Sequence, residues 1–230
     1  MIVSDYQVHL EKAAEFYDEA NYEGARTAAE YALSCALPGE GDEARIILAL
    51  SMRKLEFNDE AFQMLHDLAA AKPTPETNAE YALMCAERGL CDDSCRSCAL
   101  HALDGNPDLG SAYMALFWCD VTEGHWLEAL QNLRRGMHRG AEFSDGRAFE
   151  LVRGWCQEAC NQDNFKLALA LSSEVVELFD TVDFLILHAR LAELCGDNRT
   201  AVPYYKKVLS HLRPGSLRNE ILEAIARIAI

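Results

Sequence analysis

Residues 55–73 read LEFNDEAFQMLHDLAAAKP, a segment whose pattern recurs along the chain. Small and apolar side chains follow one another at three- and four-residue intervals from Ala61 to Leu68, and Pro73 interrupts the pattern. That spacing is the period of one helix face, and segments of about 12–15 residues with the same spacing continue towards the C-terminus. Sustained apolar/polar alternation, the signal of a strand, is almost absent. The sequence therefore predicts an all-α protein of short helices.

Five further segments align with residues 55–73 on one small residue each, so the pattern is an internal repeat. The aligned positions are Ala25, Ala61, Cys95, Ala129, Ala168 and Ala201. They follow one another at intervals of 36, 34, 34, 39 and 33 residues. A period near 34 residues is typical of a unit of two helices joined by a turn, and such units stabilise one another by stacking.

The aligned segments resemble the second helix of the tetratricopeptide repeat. In that family a small residue is followed by an apolar residue, then by another small residue, and often by a proline. This sequence is similar in three segments: Ala61, Leu65, Leu68 and Pro73; Cys95, Ala99, Ala102 and Pro107; and Ala25, Ala29, Ala32 and Pro38. Gly136 and Val208 stand where the family usually has alanine. The resemblance covers about six repeats and implies a right-handed α-solenoid of helix-turn-helix units.

The alignment also predicts where the repeats lie within an array that spans residues 1–215. They correspond to about residues 6–39, 42–75, 76–109, 110–143, 149–181 and 182–215. The 39-residue interval contains residues 139–147, which we interpret as a long loop between the fourth and fifth repeats; a hinge is the alternative. Residues 216–230 are predicted to form a capping helix with Ser216 as N-cap and one apolar stripe: Leu217, Ile221, Leu222, Ile225 and Ile228.

The chain is strongly acidic, with 21 Lys and Arg against 37 Asp and Glu and a net charge of −16. This charge repels nucleic acid and anionic membranes, so neither is an expected partner. No stretch has the roughly 20 apolar residues that span a bilayer, and the N-terminus lacks the pattern of a secretory signal. The nine cysteines are an odd number within helical segments, which indicates reduced thiols. We therefore expect a cytoplasmic protein.

Three cysteines, Cys91, Cys95 and Cys98, have the C-x3-C-x2-C spacing with which radical S-adenosylmethionine enzymes hold an iron–sulfur cluster. On one helix they would form a stripe within an arc of about 60°, whereas such clusters take their thiolates from a loop. Core packing is therefore the preferred interpretation, and a metal or iron–sulfur site is a distant alternative. The sequence also lacks a phosphate-binding glycine loop and a nucleophile elbow. We expect no catalytic residues, no cofactor and no metal, and hence no enzyme.

The resemblance implies that the first helix of each pair lines a concave groove in which a partner's peptide docks. The family-like register places eight candidate binding residues there: Tyr17, Arg53, Met84, Met114, Trp118, Arg153, Gln157 and Arg190. We expect the apolar ones to anchor a partner segment and the arginines to bind its acidic groups. The predicted function is a protein-interaction module, such as an adaptor, assembly factor or chaperone. The alternative is a self-assembling scaffold, a homo-oligomer stacked through IARIAI (225–230) or through the first repeat.

Overall fold

All regular secondary structure in the part of the chain that the structure describes is helical. This computed structural model describes residues 4–228, apart from the side chain of residue 145. Within that range no strand is present, and the helices are α1 (Asp5–Asp18), α2 (Tyr22–Cys35), α3 (Asp42–Lys54), α4 (Asn58–Ala71), α5 (Pro75–Glu87), α6 (Asp93–Gly105), α7 (Gly110–Glu123), α8 (Trp126–Met137), α9 (Asp145–Asn161), α10 (Phe165–Val175), α11 (Val182–Leu194), α12 (Asn198–His211) and α13 (Ser216–Ile228). The predicted all-α fold is confirmed.

The helices group into two compact units, unit 1 (Met1–Ala115) and unit 2 (Leu116–Ile230), with the boundary inside α7. Consecutive helices form pairs, and the aligned small residue lies near the start of the second helix of each pair. These residues are all buried: Ala25, Ala61, Ala129, Ala168 and Ala201 at 0% exposure and Cys95 at 2%. A short side chain at this position lets the second helix pack closely against its neighbours, which explains why the period is visible in the sequence.

The turn inside each pair has the same backbone geometry in the described residues. A backbone N–H donates to the carbonyl oxygen five residues earlier at 2.8–2.9 Å: Asn21 to Phe16, Phe57 to Met52, Leu90 to Cys85, His125 to Asp120, Asn164 to Ala159 and Asp197 to Ala192. The residue before each donor has a positive φ, and three of the six are Gly89, Gly124 and Gly196. This hydrogen-bond pattern is a Schellman motif, and it ends the first helix of each pair. Glycine adopts the left-handed backbone conformation that the motif requires without steric cost.

The connection between the fourth and fifth pairs is shorter than the sequence predicts. Helix α8 ends at Met137 and α9 begins at Asp145. Residues 145–147 of the predicted loop 139–147 therefore belong to α9, and the connection is residues 138–144. The preceding Ser144 has extended backbone angles, as expected for the residue before a helix.

The predicted C-terminal helix is present as α13, and residues 229–230 of the prediction lie outside the described residues. Ile221 and Ala224 are buried in a cluster that includes Tyr205 of α12, with other apolar residues of α13 partly buried beside them. The predicted stripe is wrong for Leu217 and Leu222, which are 36% and 46% exposed. Residue 217 lies in the first turn, and residue 222 is rotated by about 100° from the buried Ile221.

Ion pairs join consecutive first helices within each unit. In unit 1, Arg53 Nη2 of α3 lies 2.6 Å from Glu87 Oε1 of α5, which is 34 residues further along the chain. In unit 2, Arg227 Nη2 of α13 lies 2.6 Å from Glu193 Oε1 of α11, again over 34 residues. The shared spacing shows that α13 follows α11 in the same register in which α5 follows α3.

A histidine and a serine form a buried polar pair in unit 2. His188 is 3% exposed, and its Nδ1 lies 2.8 Å from Oγ of Ser172, which is 1% exposed. The imidazole ring also meets the ring of Tyr204 edge-on, with centroids 4.5 Å apart. Burial lowers the pKa of His188 below its ordinary 6.5, and the negative charge of Asp197 offsets part of this effect.

We expect the free energy of unfolding to decrease as the pH falls below about 6.5, because the unfolded chain then binds a proton at residue 188 that the folded chain does not. The decrease ends once the pH falls below the lowered pKa of the folded state. Urea titrations between pH 8 and pH 5 should give a smaller pH dependence for His188→Gln. The exposed His66→Gln is the matched control, and an equal slope in wild type and His188→Gln would contradict the prediction.

Candidate functional site

The structure distributes the eight predicted binding residues over the two units. Tyr17, Arg53, Met84 and Met114 lie in unit 1, and the other four lie in unit 2. Met84 and Met114 are 3% and 4% exposed, so their side chains offer almost no surface to a partner. Tyr17 is half-buried, with its ring edge-on to Tyr22 at 5.5 Å.

The predicted arginines have carboxylate neighbours within the protein. Arg53 pairs with Glu87 at 2.6 Å and with Glu80 at 3.6 Å. Burial raises the pKa of Glu80, while a hydrogen bond with Ser111 and the charge of Arg53 oppose the rise. A partner's acidic group would have to compete with two carboxylates for the guanidinium of Arg53.

Two of the predicted residues in unit 2 are also ion-paired. Arg153 Nη2 lies 2.6 Å from Glu150 on the same helix, and Arg190 Nη2 lies 2.5 Å from Glu220 of α13. All four side chains are more than half exposed, so each pair is worth at most about 1 kcal/mol and can exchange with another partner. The nearby Gln157 is exposed and donates its side-chain N–H to Oδ1 of Asn161 at 2.9 Å.

Trp118 is the predicted residue that packs against the most aromatic rings. Its partly buried indole packs 4.7 Å from the ring of Phe117 and 5.9 Å from the ring of Phe143, measured between centroids. Phe143 comes from the connection between α8 and α9, and it also meets the buried Phe117 edge-on at 5.3 Å. The connection therefore folds back onto α7 and completes an aromatic cluster within unit 2.

Arg147 lies on this aromatic cluster, and the sequence analysis missed it. Its guanidinium carbon is 4.3 Å from the centroid of Trp118 and 5.7 Å from that of Phe143. These distances are those of a cation–π contact. We define the Trp118 cluster as Phe117, Trp118, Phe143 and Arg147. The available signal was an aromatic residue, Phe143, and an arginine four positions later within the 39-residue interval of the repeat.

The three cysteines of the C-x3-C-x2-C segment lie in different environments. Cys95 is buried in α6 and its Sγ donates to the carbonyl oxygen of Ala82 at 3.3 Å, as core packing predicts. Cys91 precedes the helix, with its Sγ 3.7 Å from the carbonyl oxygen of Ala86. Cys98 is half-buried, and burial raises the pKa of its thiol. A raised pKa favours the thiol over the thiolate that metals and electrophiles require.

One group of side chains in the described part of the chain could hold a metal ion, and it contains no cysteine. Ligand atoms of Asp120, Glu123 and His125 lie within 4.8 Å of one another. Asp120 is 3% exposed and accepts a hydrogen bond from Nδ2 of Asn132 at 2.7 Å. Glu123 and His125 are exposed and lie 3.1 Å apart. Acidic groups often cluster in this way without a metal, so the geometry by itself assigns no site here.

No helix within residues 4–228 is long and apolar enough to cross a lipid bilayer. Among the described residues all nine cysteines are free thiols. Burial raises the pKa of several of them, with Cys156 reaching about 12.

Comparison with known proteins gives structural relatives only. No protein-family model matches the sequence, and no curated protein matches it significantly. PilF of Pseudomonas aeruginosa superposes with a TM-score of 0.58 at 17% identity, over 96% of this chain and 97% of that chain. PilW, described as a widely conserved type IV pilus biogenesis factor, gives 0.59 at 18% identity over 94% and 98%.

A third structural relative is the C-terminal part of a TPR repeat-containing protein from Cytophaga hutchinsonii. It superposes with a TM-score of 0.55 at 17% identity, over 87% of this chain and 78% of that chain. These likenesses define the class of fold: the chain is an all-α protein of helical repeats. More specifically, it has the tetratricopeptide-repeat fold that the spacing of its small residues predicts.

Proposed function

We propose that this protein is a non-catalytic interaction module that binds a segment of a partner protein on the surface around Trp118. Through such binding the protein would act as an adaptor, an assembly factor or a chaperone. The observation that carries the proposal is the Trp118 cluster, in which a partly buried indole is held by Phe117 and Phe143. A rigid, partly exposed tryptophan is the side chain that most often dominates binding energy at protein interfaces.

The proposed surface excludes Met84 and Met114, because both are buried. Arg153, Gln157 and Arg190 keep some exposed surface and remain candidates for further contacts in unit 2. Tyr17 and Arg53 also keep some exposed surface and remain candidates within unit 1. Their ion pairs and hydrogen bonds within the chain make them weaker candidates than Trp118, since a partner must first displace an existing contact.

The packing at both ends of the described helices argues against the self-assembling scaffold. In α3, Ala44 and Leu48 are buried against the first helix pair, whereas the residues 36 positions earlier in α1, Val8 and Lys12, are exposed.

The C-terminal helices show the same difference in exposure between an inner helix and the outer one. Leu185 and Ala189 of α11 are fully buried, whereas the residues 34 positions later in α13, Asn219 and Glu223, are exposed. Lys12, Asn219 and Glu223 make these two faces partly polar, although Val8 and Leu222 are exposed apolar side chains on the same helices. Polar outer faces oppose further stacking in repeat proteins. We therefore favour a module that does not assemble end to end.

PilW, one of the structural relatives, is described as a type IV pilus biogenesis factor, and PilF is similar to this chain to the same degree. At 17–18% identity this likeness is one of fold, and it supports an assembly role only as one form of the proposed interaction module. We also propose that the protein works in the cytoplasm, because nine cysteines without a disulfide among the described residues suit a reducing compartment.

We expect Trp118→Ala to weaken binding to the protein's partner by at least about tenfold, because the substitution removes a large, preorganised contact surface. The partner would be captured from native lysate with wild-type protein, identified by mass spectrometry, purified and measured by isothermal titration calorimetry. Tyr31→Ala is the matched control, since Tyr31 is an aromatic residue of unit 1 that is 58% exposed.

A second substitution separates binding from folding. Trp118→Phe keeps an aromatic ring beside Phe117 while it removes the larger indole, and circular dichroism would confirm helicity for every variant. An unchanged affinity in both folded Trp118 variants would exclude the proposed surface. A particle larger than the monomer by light scattering that becomes smaller on dilution would favour the scaffold instead.

A further inference from the structure

We propose that Arg147 binds a carboxylate of the partner, and that the partner segment is acidic. This inference rests on the proposed function, since it names the chemistry of the segment that the Trp118 cluster receives. The occupant is an internal stretch of a partner protein in which an Asp or Glu side chain accompanies an apolar or aromatic side chain.

The geometry of Arg147 carries the first step. Its exposed guanidinium lies over the faces of two rings, 4.3 Å from the centroid of Trp118 and 5.7 Å from that of Phe143. A cation–π contact uses the face of the guanidinium and leaves the N–H groups at its edge available. Stacking also restricts the side chain, so less conformational entropy is lost when a carboxylate accepts two parallel hydrogen bonds.

A comparison with the predicted arginines carries the second step. Arg53, Arg153 and Arg190 each have a carboxylate oxygen of this chain within 2.6 Å. Among the described residues, Arg147 has no carboxylate within ion-pair distance, and its contacts are with the two rings. Arg147 is therefore positioned by aromatic packing, while its charge is not neutralised by a partner in the described part of the chain.

Charge complementarity carries the third step. Residues 1–115 contain 8 basic and 21 acidic side chains, a net −13, whereas residues 116–230 contain 13 and 16, a net −3. Within unit 2, residues 134–153 contain five arginines and three acidic residues, a net +2. Arg134 of this stretch also lies 3.6 Å from Glu174 and 3.7 Å from Glu177, which offset part of its charge. An acidic segment is repelled less by unit 2 than by unit 1. Glu150, about one turn beyond Arg147 on α9, is held by Arg153 at 2.6 Å.

The test selects binding peptides from random sequences, so it does not require that the partner be identified first. A displayed library of random 12-residue peptides would be enriched on immobilised wild-type protein and, in parallel, on Arg147→Gln and Arg213→Gln. Arg213 is an exposed arginine of unit 2 outside the Trp118 cluster, so its variant changes net charge equally. We expect the wild type and Arg213→Gln to enrich peptides with more Asp and Glu than the input, and Arg147→Gln to lose this excess.

The affinity of the most enriched peptide is then measured by fluorescence anisotropy. This tests directly the interaction between Arg147 and the carboxylates of the peptide. We expect Arg147→Gln to weaken binding by about 10- to 100-fold, and replacement of the peptide's Asp and Glu by Asn and Gln to have a similar effect. The two changes together should cost little more than either alone, because they remove the same interaction. Arg147→Lys should restore binding only in part, since lysine keeps the charge but not the planar fork.

The outcomes distinguish this inference from the proposed function. Enriched peptides that need Trp118 but have no excess of Asp and Glu would overturn the acidic partner and leave the binding surface in place. An acidic excess that persists on Arg147→Gln would overturn the role of Arg147. A library with no enriched peptide on wild-type protein would overturn both.

Discussion

Phe184→Ala is expected to lower the free energy of unfolding by about 3–5 kcal/mol. Phe184 is 1% exposed and stacks on Phe179, with ring centroids 5.2 Å apart and planes at 16°. Phe149 of α9 meets the same ring edge-on at 5.1 Å. Truncation removes the apolar contact area and the favourable ring geometry together, and a rigid core of helices closes the resulting cavity only in part.

Urea denaturation followed by tryptophan fluorescence measures this effect in the right part of the molecule, because Trp118, Trp126 and Trp155 all lie in unit 2. Leu194→Ala is the control within unit 2: it truncates an apolar side chain that is 61% exposed, and it should cost less than about 1 kcal/mol. A loss below about 1 kcal/mol for Phe184→Ala would mean that the three rings do not pack as described.

Leu65→Ala is expected to destabilise unit 1 by about 2–5 kcal/mol. Leu65 of α4 is fully buried in a cluster with Ala49, Ala61, Leu68 and Met84. Because three helices contribute to this cluster, removal of the isobutyl group leaves a space that no single side chain can fill by changing rotamer.

Leu100→Ala is the matched control for Leu65→Ala, since Leu100 lies on α6 and is 48% exposed. Leucine and alanine have nearly equal helix propensity, so the control should change the unfolding midpoint little. Far-ultraviolet circular dichroism follows both variants during urea titration. Equal midpoints for the two variants would contradict the assignment of Leu65 to the core.

The fold could be predicted because one physical requirement recurs at a fixed interval. Ala61 and Ala129 must be small for helices to approach closely, and the same constraint returns about every 34 residues. The turns were harder to predict from the sequence, because the position with a left-handed backbone is a glycine at Gly124 but an aspartate at Asp163 in the following pair. The sequence signal was therefore strong for the second helices and weak for their connections.

The site could be predicted only in part, for two different reasons. Met84 was assigned to a binding face, but methionine also fills core space, and an error of one position in a helix rotates a side chain by about 100°. Phe143 and Arg147 lie where the period is interrupted, so no repeat position pointed to them. Their relation to Trp118 depends on how the connection folds back, and that is a tertiary contact.

The ion pairs between first helices have a direction, and this makes the repeats different from one another. Between α3 and α5 the arginine comes first and Glu87 follows, whereas between α11 and α13 Glu193 comes first and the arginine follows. An exchange of α3 with α11 between these two places would set Glu193 against Glu87 and Arg53 against Arg227, which are like charges. Shuffled or duplicated copies of these helix pairs are therefore not neutral, and the order of the repeats is itself encoded in the chain.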